Sequence, residues 1–195
     1  MPKFEDETHF YPLKNGDPHY EAIGRVTSAW AFFEFHVNQA IWLLSALDDE
    51  RGACVTSHIY NISARIKALL ALIELMDRDY PEPVEVNGKP REYSLRDIIN
   101  KLKKLSNKQV EPISRERNRI IHDTWMYGKT TGSIAQIRAT ANRKLDYGFR
   151  PADIGEINAT HRGILKLDGA FLILASAIQS RTRQLRIATQ PKRPI

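Results

Sequence analysis

The sequence predicts an all-α fold: an antiparallel four-helix bundle with a small irregular or β-hairpin insertion before the last helix. Three observations predict it. Apolar residues recur at three- and four-residue steps through four long stretches, and capping residues or prolines stand where those stretches begin. The period is then lost over a glycine-punctuated segment at about 125–150.

Residues 1–16 hold Pro2, Pro12 and Gly16 without a sustained period and read as an extended N-terminal arm; the helical domain is expected to run from 17 to 183. Asp17 followed by Pro18 supplies a cap acceptor and a first-turn proline, and Ile23, Val26, Trp30, Phe33, Val37, Ile41 and Leu44 follow at helical spacing. That predicts a helix over about 18–47. Val55, Ile59, Ile62, Ile66, Leu69, Ile73 and Met76 predict a second over about 51–78. Their short connection makes the pair a hairpin, because two such helices bury their apolar stripes against each other. Pro81, Pro83, Gly88 and Pro90 mark a loop. Ser94 with Asp97 resembles a capping box at the head of Leu95, Ile98, Ile99, Leu102 and Leu105. Pro112 is expected to kink or restart this third helix before it ends near His122 to Thr124. Tyr127, Ile134, Ile137 and Tyr147 fit a hairpin or three-strand meander, and Pro151-Ala152-Asp153 opens a last helix to about Arg183. Residues 184–195 read as a basic flexible tail.

Composition narrows the function classes. Of 195 residues, 42% are hydrophobic and 27% charged, the balance of a chain that folds around a core. Cys54 is the one cysteine, which excludes an internal disulfide framework and a multi-thiolate zinc site. The N-terminal residues lack the apolar centre of a signal peptide, and uninterrupted apolar runs fall short of the roughly 20 residues a membrane span needs. A soluble, cytoplasmic protein with no membrane partner is the expectation. Twenty-nine Lys and Arg against 23 Asp and Glu give a net charge of +6, crowded into Lys101–Arg119 and the tail. Such clusters attract polyanions, nucleic acid first among them, although a lysine-rich run is as often a solvated face.

The densest chemistry lies in Ser114-Arg115-Glu116-Arg117-Asn118-Arg119-Ile120-Ile121-His122-Asp123-Thr124-Trp125. Cleaving RNA by its own 2′-hydroxyl needs a proton acceptor there, a donor at the leaving oxygen and positive charge on the phosphorane. A histidine such as His122 can serve as that acceptor or donor, Arg117 brings a permanently charged fork of donors, and Asn118 could orient one of them. At about 100° per residue, Arg117 falls on the apolar side with Ile113, Ile120 and Ile121, whereas Arg115, Asn118, Arg119 and His122 share the other face. Arg115 is therefore the better angular partner of His122, and both arginines are carried. An arginine on an apolar face requires a partner. Glu34, inside the stripe of the first helix, is predicted to pair with Arg117 as structural support.

Arg117-Asn118, three residues, then His122 resembles the Arg-x(4–6)-His motif of the HEPN superfamily, placed as there at the end of a third helix after a helical hairpin. The resemblance implies a homodimer whose facing motifs cut RNA without metal through a 2′,3′-cyclic phosphate. It equally covers members that only bind RNA or nucleotides or serve as assembly modules. Catalytic candidates are Arg117, Asn118 and His122; Arg115, Arg119, Lys104 and Lys108 are candidates for holding the substrate. No cofactor or metal ligand set is expected, and the residues specify no RNA target, cognate antitoxin or nucleotidyltransferase. Asp123 departs from the small residue common after the motif histidine. His36 and Glu34, two residues apart on one helix, diverge too far to form a metal site with His58. Trp30, Phe32, Phe33, Phe35 and Trp42 are expected in the core and a dimer interface.

Overall fold

A computed structural model describes residues 9–80, 85–86, 89–90, 93–141 and 145–189. In chain order the elements are β1 (Phe10–Pro12), α1 (Pro18–Leu44), α2 (Asp49–Ser57), α3 (Ile62–Asp79), β2 (Glu85–Val86), β3 (Lys89–Pro90), α4 (Leu95–Leu105), a π-helical turn (Ser106–Val110), α5 (Glu111–His122), β4 (Thr124–Gly128), β5 (Ile134–Ala141), β6 (Leu145–Pro151) and α6 (Ile154–Thr189). The protein is mainly helical, but it is not the four-helix bundle expected from the sequence. Among the described residues it has five helical bodies, counting α4, the π turn and α5 as one, and a four-stranded antiparallel sheet.

Two departures account for the difference. The second expected helix, 51–78, is interrupted at 58–61. Ser57 Oγ donates to the Cys54 carbonyl at 2.8 Å and His58 Nδ1 lies 2.9 Å from the same oxygen, so side chains occupy an acceptor at the end of α2. Asn61 then starts α3 as an extended N-cap, its Oδ1 accepting from Ala64 N at 2.8 Å. The second departure is the sheet, ordered β1-β4-β5-β6: the expected arm contributes an edge strand, with Tyr11 opposite Tyr127. Phe10 stacks on Phe149 with centroids 4.9 Å apart. The rest of the arm, residues 1–8, and the tail beyond 189 lie outside the described residues.

The third helix restarts at Pro112: α5 begins at Glu111, with the proline in its first turn. The π turn precedes it, with Glu111 N–H bonded to Ser106 O, and this wider turn relieves the clash a proline ring makes with the carbonyl four residues back. Helix α1 ends earlier than expected, in a Schellman motif. Leu47 N donates to Trp42 O at 3.0 Å and Ala46 N to Leu43 O at 3.3 Å, with Ala46 at φ +53°. Helix α6 begins where expected, Gly155 N bonding to Asp153 Oδ1 at 2.7 Å. It continues past Arg183, and Ile154–Gln184 is long and apolar enough to cross a membrane by length and composition, with 28% of its most apolar window buried. The sequence expectation rested on uninterrupted apolar runs, which a few interspersed charges conceal.

The chain divides into two compact units, Met1–Trp30 with Ile113–Ile164, and Ala31–Pro112 with Leu165–Ile195. The first contains the sheet, and Val26, Trp30, Ile120, Ala135, Ile157 and Ile164 are buried in it. The second packs α3 on α4 and buries Phe33, Ile66, Leu69, Ile98, Leu102 and Phe171, with Phe33 edge-on to Phe171 at 5.7 Å. Of the five α1 aromatics expected in the core and a dimer interface, Trp30, Phe33 and Trp42 are buried while Phe32 and Phe35 are exposed. In the second unit Trp42 lies flat on Gly52, where an added Cβ would come within 2.6 Å of the indole Cδ1.

Candidate functional site

The motif belongs to α5, whose exposed stripe follows from helical geometry. Arg115, Asn118 and His122, at i, i+3 and i+7, are all exposed. The side chains of Arg115 and His122 make no hydrogen bond or ion pair among the described residues. Arg117 is half-buried, as the helical wheel requires, and its Nη1 donates to Asn118 Oδ1 at 2.9 Å. Its guanidinium also sits 5.8 Å from the centroid of the Trp30 ring, within cation–π range. Arg119 departs from the expected exposed face: it is half-buried, with Nη1 3.9 Å from Glu116 Oε1.

Glu34 has an ion-pair partner that the sequence did not assign to it. Its Oε2 lies 3.8 Å from Arg65 Nη1, on α3, and Arg65 Nε donates to Ile59 O at 3.0 Å. The sequence reading sought a carboxylate for Arg117 and did not weigh Arg65, which lies on α3, as a partner of Glu34.

What holds the end of the motif helix was not anticipated. The last carbonyls of a helix lack intrahelical donors. Here Ile120 O accepts from Trp125 Nε1 at 2.8 Å, and Arg119 O accepts from Gln136 Nε2 at 3.1 Å and from Asp123 N at 3.0 Å. Trp125 and Gln136 are directly opposite each other in the β4–β5 ladder, so one cross-strand pair grips two successive carbonyls. Gln136 is buried, and an inward amide on a strand was the available signal. Trp125 also faces the start of α1, its ring 6.1 Å from that of His19. His19 is held by Asp17, whose Oδ1 accepts from His19 N at 2.9 Å and lies 2.8 Å from Nδ1. Burial pushes the Asp17 carboxyl up, but the amide and imidazole of His19 outweigh it, so its pKa falls below the ordinary 3.8.

Lys104 and Lys108, the other substrate-binding candidates, lie in the second unit. They rim a hollow of about 260 Å³ with an apolar floor of Leu105, Ala170, Ile173 and Leu174. Neither lysine has an ion pair among the described residues, whereas Lys101 pairs with Asp97 at 2.8 Å and Lys103 with Glu74 at 2.9 Å. Among the described residues no three His, Cys, Asp or Glu side chains are grouped to hold a metal ion. Cys54 is exposed.

No family model, curated protein or solved structure matches this chain.

Proposed function

We propose that the protein is a HEPN-like, metal-independent endoribonuclease that acts as a homodimer, its Arg/His motifs facing each other across the RNA. The observation that carries this reading is the exposed stripe of Arg115, Asn118 and His122, backed by the Arg117–Asn118 hydrogen bond. In the reaction a neutral His122 takes the proton of a 2′-hydroxyl as that oxygen attacks the adjacent phosphorus. A second, protonated His122 on the facing copy gives a proton to the departing 5′-oxygen, leaving a 2′,3′-cyclic phosphate and a 5′-hydroxyl. Arg115 is exposed and available to the phosphorane, with Arg117 keeping the Asn118 amide in place. The site is open on one copy, which supports the need for a second one to enclose the substrate.

The test is incubation of the protein and its His122→Ala variant with mixed cellular RNA in chelator, followed by end-group analysis. Cyclic-phosphate ends from the parent, reduced at least about a hundredfold in the variant, are expected, because general acid–base groups contribute on that order. Equal cleavage by a folded variant excludes His122. A second reading, a non-catalytic RNA-binding or protein-interaction module, draws on the lack of any group orienting the His122 ring among the described residues. It predicts salt-sensitive binding without new RNA ends.

A further inference from the structure

We propose a second site, unrelated to RNA cleavage, that binds a small organic cation in a hollow of the second unit. This hollow, about 400 Å³, is formed by α1, the start of α2 and α6; its polar lining comes from His36, Gln39, Asp49, Ser176 and Gln179. That volume is within the range of pockets that hold small molecules. His36 is the centre of the argument. Its Nδ1 lies 2.7 Å from Asp168 Oδ1, with both side chains largely buried. The carboxylate accepts, so the Nδ1 position carries the proton, and a neutral ring presents Nε2 as an acceptor. Nε2 has no hydrogen-bond partner among the described residues.

Charge selects the ligand. With a neutral imidazole the dyad carries one negative charge, and with a protonated one it carries none. Asp49 adds another negative charge in either case, and among the described residues no Lys or Arg lines the hollow. In a chain of net charge +6, this is a place that repels phosphate and attracts an amine. The Asp49 carboxylate accepts in either case and Nε2 accepts while the ring is neutral, which calls for a ligand rich in N–H donors. Trp42 forms an apolar wall for its body, fixed by the Nε1 hydrogen bond to Thr56 Oγ1 at 3.2 Å and by the flat contact with Gly52. A primary amine on a short alkyl chain satisfies all three features.

The experiment titrates the protein with cadaverine, with pentanediol and with glutarate, three five-carbon chains differing in end groups, by calorimetry and by the ring resonances of the histidines. Cadaverine is expected to bind and to shift His36. The diol is expected to bind at least about tenfold more weakly, as loss of a charge-assisted hydrogen bond implies, and glutarate not at all. Asp49→Asn and Ser176→Phe, both at exposed positions, are expected to weaken cadaverine about tenfold with an unchanged urea midpoint, the first by removing charge and the second by filling space. Absence of cadaverine binding overturns the proposal, as do equal binding of the diol and an affinity indifferent to both substitutions. Tighter binding of a lysine-bearing tripeptide than of cadaverine overturns it too, by showing a docking point for a protein side chain.

Discussion

At the scale of single residues, the two ends of α1 are set by opposite kinds of fitness. Asp17 suits its place: it accepts the His19 amide as a helix cap does, and its lowered pKa means that the folded state prefers the carboxylate. A group whose folded pKa is depressed stabilises above its unfolded value of 3.8, and that contribution is lost as pH falls through the folded value. Asp17→Ala is therefore expected to cost about 1 kcal/mol near neutral pH, with the gap narrowing as pH drops below about 4, read from urea midpoints at both. A gap that holds constant into acid contradicts a role for the charge. Ala46 suits its place poorly. A left-handed φ of +53° carries a penalty of about 1–2 kcal/mol for a residue with a Cβ, against about 0.4–1 kcal/mol of extra chain entropy for glycine in the unfolded state. Ala46→Gly is expected to stabilise the fold by up to about 1 kcal/mol, and destabilisation in a denaturant series would show that the Schellman end is not what the folded chain uses.

At the scale of elements, the motif helix depends on the sheet for its last turn. The paired donors Trp125 and Gln136 satisfy the carbonyls of Ile120 and Arg119, two and three residues before His122. Trp125→Phe with Gln136→Leu leaves the apolar contacts near their original size and removes both donors, at an expected cost of about 1–3 kcal/mol. Hydrogen exchange should then speed up at the amides of 119–123 while those of α3 stay protected; equal protection in both would show that the last turn stands without the sheet. The helix starts were legible because their signals are local: Asp17-Pro18, and Ser94, whose Oγ accepts from Asp97 N at 3.1 Å. The break at 58–61 was not, since the apolar period runs through Val55, Ile59 and Ile62 without a glycine or proline. Burial separates them where spacing does not: Ile62 is buried but Val55 is half-exposed. Of the sheet, a hairpin or three-strand meander was legible, but pairing of β1 with β4 joins opposite parts of the sequence, and no periodicity reports a non-local partner.

At the scale of the whole molecule, the net charge of +6 says less about RNA than which cations remain uncommitted. The sequence singled out Lys104 and Lys108 from a run that also holds Lys101 and Lys103, although spacing alone could not separate a paired lysine from an unpaired one. In the structure the distinction is physical. Lys101 is engaged by Asp97 and lies 4.0 Å from the centroid of the Tyr93 ring, and Lys103 is engaged by Glu74. A lysine already facing a carboxylate gains less from a phosphate, because it must give up or share that partner, whereas an unpaired one exchanges only water and salt ions. On the proposed RNA-binding reading, Lys104→Ala and Lys108→Ala should each lower the slope of log affinity against log salt by about 0.7 on single-stranded RNA, the loss of one phosphate contact. Lys101→Ala and Lys103→Ala should change it by clearly less. The comparison is made by fluorescence anisotropy on a labelled oligonucleotide across a salt series, with the four variants matched for stability. Equal effects of all four would mean that RNA responds only to the diffuse field of the chain, and equal lack of effect at Lys104 and Lys108 would remove their hollow from the interface.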